Sequence, residues 1–181
     1  MSIRILVADR DYIGHDLDYA PLARLGDLQI RDSSPQDQFT SILRESAAEV
    51  VVANRSLFNP ELLKALTTDP RPARIPRLIC LTATGTNTVD LPAARSSGIA
   101  VCNVPGYCTD AVAQHSFALV LELLYKSARF DALARNWHDR CAALPSGQPG
   151  PAWTPLDLPI HELVGKTWGI IGLGAIGRRV A

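Results

Sequence analysis

Short apolar runs alternate with amphipathic stretches from the start of the chain. "IRILVAD" (3–9) is apolar with strand character, and "LARLG" (22–26) has the look of a helix end with Gly26 in the stop position. "LQIRDS" (28–33) predicts a second strand. "SPQDQFTSILRES" (34–46) predicts a helix, with Pro35 in its first turn and Phe39, Ile42 and Leu43 at helical spacing. "AEVVVAN" (48–54) is a continuous β-branched run, as in a strand buried on both faces. "NPELLKALTT" (59–68) offers Asn59 as N-cap and Pro60 at the first helical position. "RLICLTATG" (77–85) predicts a strand running into a small-residue loop, "LPAARSSG" (91–98) a short helix ended by Gly98, and "IAVCNV" (99–104) another strand.

This alternation implies an α/β fold, a parallel sheet covered on both sides. Right-handed crossovers then give a flavodoxin-like layer, whose ligands bind beyond the carboxyl ends of the strands. Two polar or small-residue loops fall there, "TATGTN" (82–87) and "NVPGYCTD" (103–110). A long helix is predicted over 109–139, capped by Thr109 or Asp110. Phe117, Val120, Leu121 and Leu124 follow i, i+3, i+4, i+7, Leu119 and Leu123 widen the apolar face, and Glu122 and Lys126 stand at i, i+4. A helix so apolar should be buried between layers or subunits. The proline-rich stretch 141–160 has no period and reads as a surface connection.

A new unit begins at "HELVGKTWGIIGLGAIGRRVA". Trp168 to Ile171 reads as a short strand, Gly172, Gly174 and Gly177 form G-x-G-x-x-G, and "AIGRRVA" opens a helix. In a dinucleotide site Gly172 permits the tight turn, Gly174 lets backbone approach a pyrophosphate, and Gly177 lets helix and strand pack closely. Ala175 and Ile176 offer backbone N–H groups at the helix start. The acidic residue that would hold a ribose lies about 20 positions further on, beyond residue 181.

The totals narrow the classes. With 181 residues, 47% of them hydrophobic, and a mean hydropathy of +0.07, the chain can build a sizeable core. Lys+Arg and Asp+Glu are 18 each. With no basic tract and no polybasic patch, neither nucleic acid nor a membrane surface is an expected partner. The start lacks a secretory apolar region and no stretch is long enough to span a bilayer, so a cytoplasmic protein is expected. Cys80, Cys102, Cys108 and Cys141 form no C-x-x-C pair, so no metal site is expected. Cys80 and Cys102, inside apolar runs, read as buried small hydrophobes, and Cys108 as a thiol just before a helix.

Two stretches together resemble one family, the D-isomer-specific 2-hydroxyacid dehydrogenases. "TATGTNTVDLPAARSSGIAVCNVPGYCTDAVAQHSFALVLELL" (82–124) resembles its central block, and "PIHELVGKTWGIIGLGAIGRRVA" (159–181) the entry to its cofactor domain. "ATGTN", "VAQH" and "ELVGKT" are most similar to glycerate dehydrogenases, also called hydroxypyruvate reductases. The resemblance implies a flavodoxin-like substrate domain over 1–108, an interdomain helix over 109–139, a linker over 140–163, and the start of a Rossmann domain, cut short, over 164–181. It implies a nicotinamide cofactor, NAD in preference to NADP, a small 2-hydroxy or 2-keto acid as substrate, and a homodimer for the intact protein. The family's catalytic Arg, Glu and His lie in the part that would follow residue 181, so no catalytic residue is expected in this chain.

By the same resemblance, backbone amides of Thr84, Gly85 and Thr86 hold the substrate carboxylate. A small-residue loop can turn successive N–H groups onto an anion, with charge neutralisation left to a downstream Arg. The chain has Ala83 and Asn87 where relatives commonly show a second glycine and an Asp. Thr109 lies near the nicotinamide by resemblance. His115 is read as a structural histidine on a buried helix. Gln114, where many relatives carry Glu, is read as a helix-to-backbone tie. His15, His138 and His161 have no carboxylate or cysteine at a telling spacing. Trp137 and Trp153 mark either a subunit surface or core packing. A corepressor-type, non-catalytic dinucleotide sensor of the same architecture is the alternative function.

Overall fold

The structure is a computed structural model that describes residues 2–68, 76–142 and 158–181. The chain divides into two compact units, Met1–Tyr107 and Cys108–Ala181.

In the first unit the apolar runs form five strands: β1 (Ile3–Val7), β2 (Gly26–Ile30), β3 (Val50–Ala53), β4 (Leu78–Leu81) and β5 (Ala100–Cys102). All neighbours pair in parallel, in the order β2-β1-β3-β4-β5, which is the flavodoxin-like arrangement of an α/β domain. The helices between them are α1 (Arg10–Ile13), α2 (Ala20–Ala23), α3 (Phe39–Ser46), α4 (Pro60–Thr67) and α5 (Leu91–Ser96). Side chains alternate across a strand, so Leu6, Val51, Ala53, Ile79 and Leu81 share one face. That face packs against Phe39, Ile42 and Leu43 of α3, Leu62, Leu63 and Leu66 of α4, and Ala94 of α5. Phe39 meets Phe58 edge to face with ring centroids 5.2 Å apart, an arrangement favoured by the ring quadrupoles. Asn59 caps α4 by accepting from the Leu62 N–H at 2.9 Å, and Asp90 caps α5 from the Ala93 N–H at 2.8 Å.

Three expectations are corrected here. Gly26 does not stop a helix: α2 ends at Ala23 and Gly26 opens β2, where a side chain would strike the Ile3 carbonyl oxygen of β1. The helix placed at 34–46 starts at Phe39, and Pro35 lies in the turn before it, its carbonyl accepting from the Gln38 N–H at 3.0 Å. The sheet is not evenly covered. On the face opposite α3–α5, Val50, Val52, Leu78 and Cys80 are half-buried, and Ala100 and Cys102 are exposed.

One buried carboxylate joins the carboxyl ends of β1 and β3. Asp9 is 2% exposed. Its Oδ2 accepts from the N–H groups of Asn54, Arg55 and Ser56 at 2.9, 3.0 and 3.0 Å, and its Oδ1 accepts from Ser56 Oγ at 2.8 Å. Four donors satisfy a charge that would otherwise be costly to bury.

In the second unit the single helix predicted over 109–139 is three: α6 (Thr109–Tyr125), α7 (Ser127–Arg135) and α8 (Trp137–Ala142). Lys126 interrupts the first two with left-handed backbone, φ 54°. Glu122 and Lys126 do not pair with each other. Lys126 Nζ donates to the Pro159 carbonyl at 2.7 Å, and Glu122 Oε1 accepts from the Ala128 N–H at 3.1 Å. In this chain α6 is largely exposed: of its side chains only Ala113 is buried, and Leu123 is 75% exposed. Its contacts include α9 (Ala175–Val180) and Trp168, whose ring lies 4.7 Å from that of Phe117. The strand predicted at 168–171 is absent among the described residues. A strand exists through pairing, and no described strand lies beside this segment. Ile171 is fully exposed. Most of the predicted linker, with Trp153, lies outside the described residues.

Replacing Asp9 with alanine leaves three loop N–H groups and a serine hydroxyl without their acceptor. The expected loss is on the order of 3 kcal/mol in urea denaturation, while Asp37→Ala, at an exposed position, should stay within about 0.5 kcal/mol. Equal effects from the two would show that Asp9 is not a structural hub.

Candidate functional site

The parallel sheet sends the loops after β3, β4 and β5 out along one edge. There the 82–86 loop is held from both sides. Toward β3, Thr82 N–H donates to the Ala53 carbonyl at 3.0 Å, and Asn54 Nδ2 donates to the Thr82 carbonyl and Oγ1 at 3.1 and 2.9 Å. Toward β5, Asn103 Nδ2 donates to the Thr84 carbonyl at 2.7 Å, the Val104 N–H to the Ala83 carbonyl at 3.1 Å, and Thr84 Oγ1 to the Val104 carbonyl at 3.2 Å. Thr84 and Gly85 are exposed and Thr86 is half-buried. The Gly85 and Thr86 N–H groups donate to nothing among the described residues. The Thr82, Ala83 and Thr84 carbonyls are thus spent on bracing the loop, while the Gly85 and Thr86 amide donors stay available, an arrangement suited to a small anion.

Asn54 and Asn103 escaped the sequence reading as individual residues. The signal was present in both: a carboxamide immediately after an apolar strand, able to donate sideways to a neighbouring loop. Asp9 was equally unremarked, though it ends the first apolar run.

The second site lies in the other unit. Gly172 has φ +94°, a backbone that L side chains rarely adopt, and a Cβ on Gly177 would run into the Gly172 carbonyl oxygen. A Cβ on Gly174 meets nothing within 4 Å. Two of the glycines therefore build the turn, and the third leaves open room above it. Gly174 is the N-cap of α9, with the Arg178 N–H donating to its carbonyl at 3.0 Å. The Ala175 and Ile176 N–H groups, in the first turn, have no acceptor among the described residues. This donor set and the open space at Gly174 fit a phosphate group. Thr109 is the first residue of α6 and does not cap it. Cys108 takes the N-cap position, and its side chain makes no capping hydrogen bond to the helix. The following residue, Asp110, accepts from Arg179 Nε of α9 at 2.6 Å, so the start of α6 lies beside the glycine-turn helix.

Other expectations change. His115 is exposed, not buried, and the Gln114 side chain makes no hydrogen bond among the described residues. His15 does have a carboxylate: its Nε2 lies 2.8 Å from Asp11 Oδ1, with Asp32 close by. All three are exposed, and Arg10 Nε already donates to Asp32 at 2.6 Å, so the group reads as a surface ion-pair cluster. Cys80 is half-buried and Cys102 exposed, contrary to their reading as core residues. Burial, and after it the neighbouring Cys102, raise the Cys80 thiol to about 12. Among the described residues, no helix is long and apolar enough to cross a membrane.

The family description "D-isomer specific 2-hydroxyacid dehydrogenase, catalytic domain" matches residues 5–166. The chain belongs to this family. It is 32% identical over 164 residues to a hydroxypyruvate reductase of Blautia hydrogenotrophica, a match covering 90% of the chain and 46% of that protein. The chain spans about half the length of the curated relatives it matches. Among solved structures, a D-isomer-specific 2-hydroxyacid dehydrogenase from Polaromonas superposes with a TM-score of 0.74 at 24% identity, covering 98% of this chain and 50% of that one. D-lactate dehydrogenase of Aquifex aeolicus, solved with NAD and lactic acid, gives 0.67 at 24% identity, covering 97% and 46%. These two likenesses speak for the fold.

The glycines of this dehydrogenase-family turn are not equivalent. Gly177→Ala should force the turn apart by about 1–3 kcal/mol, read as roughly tenfold or faster hydrogen exchange at the Arg178 and Ala181 amides. Gly174→Ala should leave both rates unchanged. The reverse ranking would mean that the Gly172–Gly177 approach does not hold the turn.

Proposed function

We propose that this chain supplies the acid-holding and pyrophosphate-holding parts of a nicotinamide-dependent oxidoreductase for small 2-hydroxy and 2-keto acids of the glycerate and hydroxypyruvate type. NAD is favoured over NADP. In this reading residues 1–108 are the substrate domain, 109–139 the interdomain segment, 140–163 a linker and 164–181 the entry to the cofactor domain. The observation that carries it is the pair of free N–H groups at Gly85 and Thr86, on a loop braced by Asn54 and Asn103.

Each residue then has a task. The Thr84–Thr86 backbone binds the substrate carboxylate with neutral donors, orienting the acid without fixing a counter-charge. Gly172 and Gly177 shape the turn, Gly174 keeps side chains away from the pyrophosphate, and Ala175 and Ile176 donate to it. Thr109 borders the nicotinamide. Bound nicotinamide supplies hydride transfer at C2 of the acid. The acid–base and guanidinium groups that this chemistry needs are assigned to the family's second half, in a homodimer. The chain 1–181 alone is therefore expected to be inactive.

Titration of isotope-labelled 1–181 with hydroxypyruvate should shift the Gly85 and Thr86 amide resonances, with no NADH oxidation above background. Shifts confined to other residues would remove the loop from the substrate site, and turnover would show that the catalytic set lies within this chain.

Millimolar NAD should likewise shift the Ala175 and Ile176 amides, weakly because a helix this short is marginal. Gly174→Val should abolish that response while leaving the resonances of the first unit in place. An unchanged NAD response in the variant would reduce the glycines to a tight turn and end the dinucleotide reading.

A further inference from the structure

Cys80 and Cys102 are direct register partners on neighbouring parallel strands, Cys80 on β4 and Cys102 closing β5. Register partners point to the same face, here the one not covered by α3–α5. The two thiols are therefore close neighbours on that face, and both are free. Cys102 is exposed and Cys80 beside it is half-buried, so the two differ in access to solvent. Adjacent strands lie about 4.8 Å apart, within the span of roughly 4.4–6.8 Å that a disulfide's Cα atoms occupy. We propose that Cys80 and Cys102 form a redox-active dithiol that closes reversibly to a disulfide by exchange with a small disulfide such as oxidised glutathione.

The steps follow from the asymmetry of the pair. Cys102, accessible, loses its proton to solvent and attacks one sulfur of the small disulfide. That S–S bond breaks, one thiol leaves carrying a proton from water, and Cys102 is held as a mixed disulfide. Cys80 then loses its proton and attacks the Cys102 sulfur, expelling the second small thiol. Two protein thiols are oxidised and one small disulfide is reduced to two thiols. Burial raises the Cys80 thiol, so it attacks only after losing its proton, and closure becomes faster as pH rises. Drawing the Cβ atoms to about 3.8 Å pulls the ends of β4 and β5 together.

The position gives the bond a consequence. Cys80 lies two residues before Thr82, and Cys102 immediately precedes Asn103, whose side chain holds the Thr84 carbonyl. Closure displaces both roots of the 82–86 loop, whatever that loop binds.

The test uses 1–181 carrying Cys108→Ser and Cys141→Ser. Native protein treated with oxidised glutathione should lose two hydrogens in intact mass, with peptide mapping joining Cys80 to Cys102 and dithiothreitol restoring the original mass. The Gly85, Thr86 and Asn103 amide resonances should move on oxidation. With Cys80→Ser in addition, the reaction should stop at a glutathione adduct on Cys102; with Cys102→Ser, neither adduct nor closure should form. A stable adduct on Cys102 with Cys80 intact, closure only in denaturant, or no reaction in native protein would each overturn the proposal.

Discussion

A single buried carboxylate organises the loop edge of the first unit. Asp9 gathers three consecutive backbone N–H groups and a hydroxyl from the segment after β3, and no lysine or arginine side chain is among these partners. Without that acceptor, residues 54–56 would have to find other partners for their donors or expose them to water. With it, the chain leaves β3 on a fixed course, and Asn54 is set to reach sideways to Thr82. The bracing of the 82–86 loop therefore starts two strands away, at the end of β1. Only then do Asn103 and Val104 close it from the β5 side.

The two halves of the proposed chemistry sit in different units, and their local construction differs. The acid-holding loop belongs to a unit with a packed core, and side-chain amides fix it. The glycine turn belongs to a unit whose described part exposes much of its apolar surface, including Val164 at 85%. Its shape comes from backbone, a positive φ at Gly172 and the close approach of Gly177, with the Arg178 guanidinium donating to the Leu173 carbonyl at 2.9 Å. The first kind of site tolerates change at its ligand-facing positions so long as its braces remain. The second tolerates almost none at the glycines that form it.

Much of the fold could be read from residue patterns because the patterns had local causes. β-branched runs marked β3, and Asn59-Pro60 marked a helix start by chemistry confined to a few residues. The resemblance to the family, later matched over residues 5–166, rested on quoted stretches of the same kind. What escaped was non-local. Gly26 serves a neighbouring strand, not its own helix. Trp168–Ile171 has strand composition, but pairing, not composition, makes a strand. The loop at 82–86 was legible as small and polar, yet Asn54 and Asn103 acquire their role only when the sheet sets β3, β4 and β5 side by side. Cys80 and Cys102, 22 positions apart in the sequence, become neighbours the same way.

The break at Lys126 is an exchange of hydrogen-bond partners. In a continuous helix the Leu124 carbonyl would accept from the Ala128 N–H. Instead that carbonyl takes the His161 N–H at 3.1 Å, and the Ala128 N–H goes to the Glu122 carboxylate. One helical bond has been traded for two outside partners, with the Lys126 ammonium on the Pro159 carbonyl adding a third tie to the same returning segment. Straightening the helix and releasing residues 159–161 are thus a single event. Whatever holds that segment sets the bend, and whatever frees it lets α6 and α7 merge.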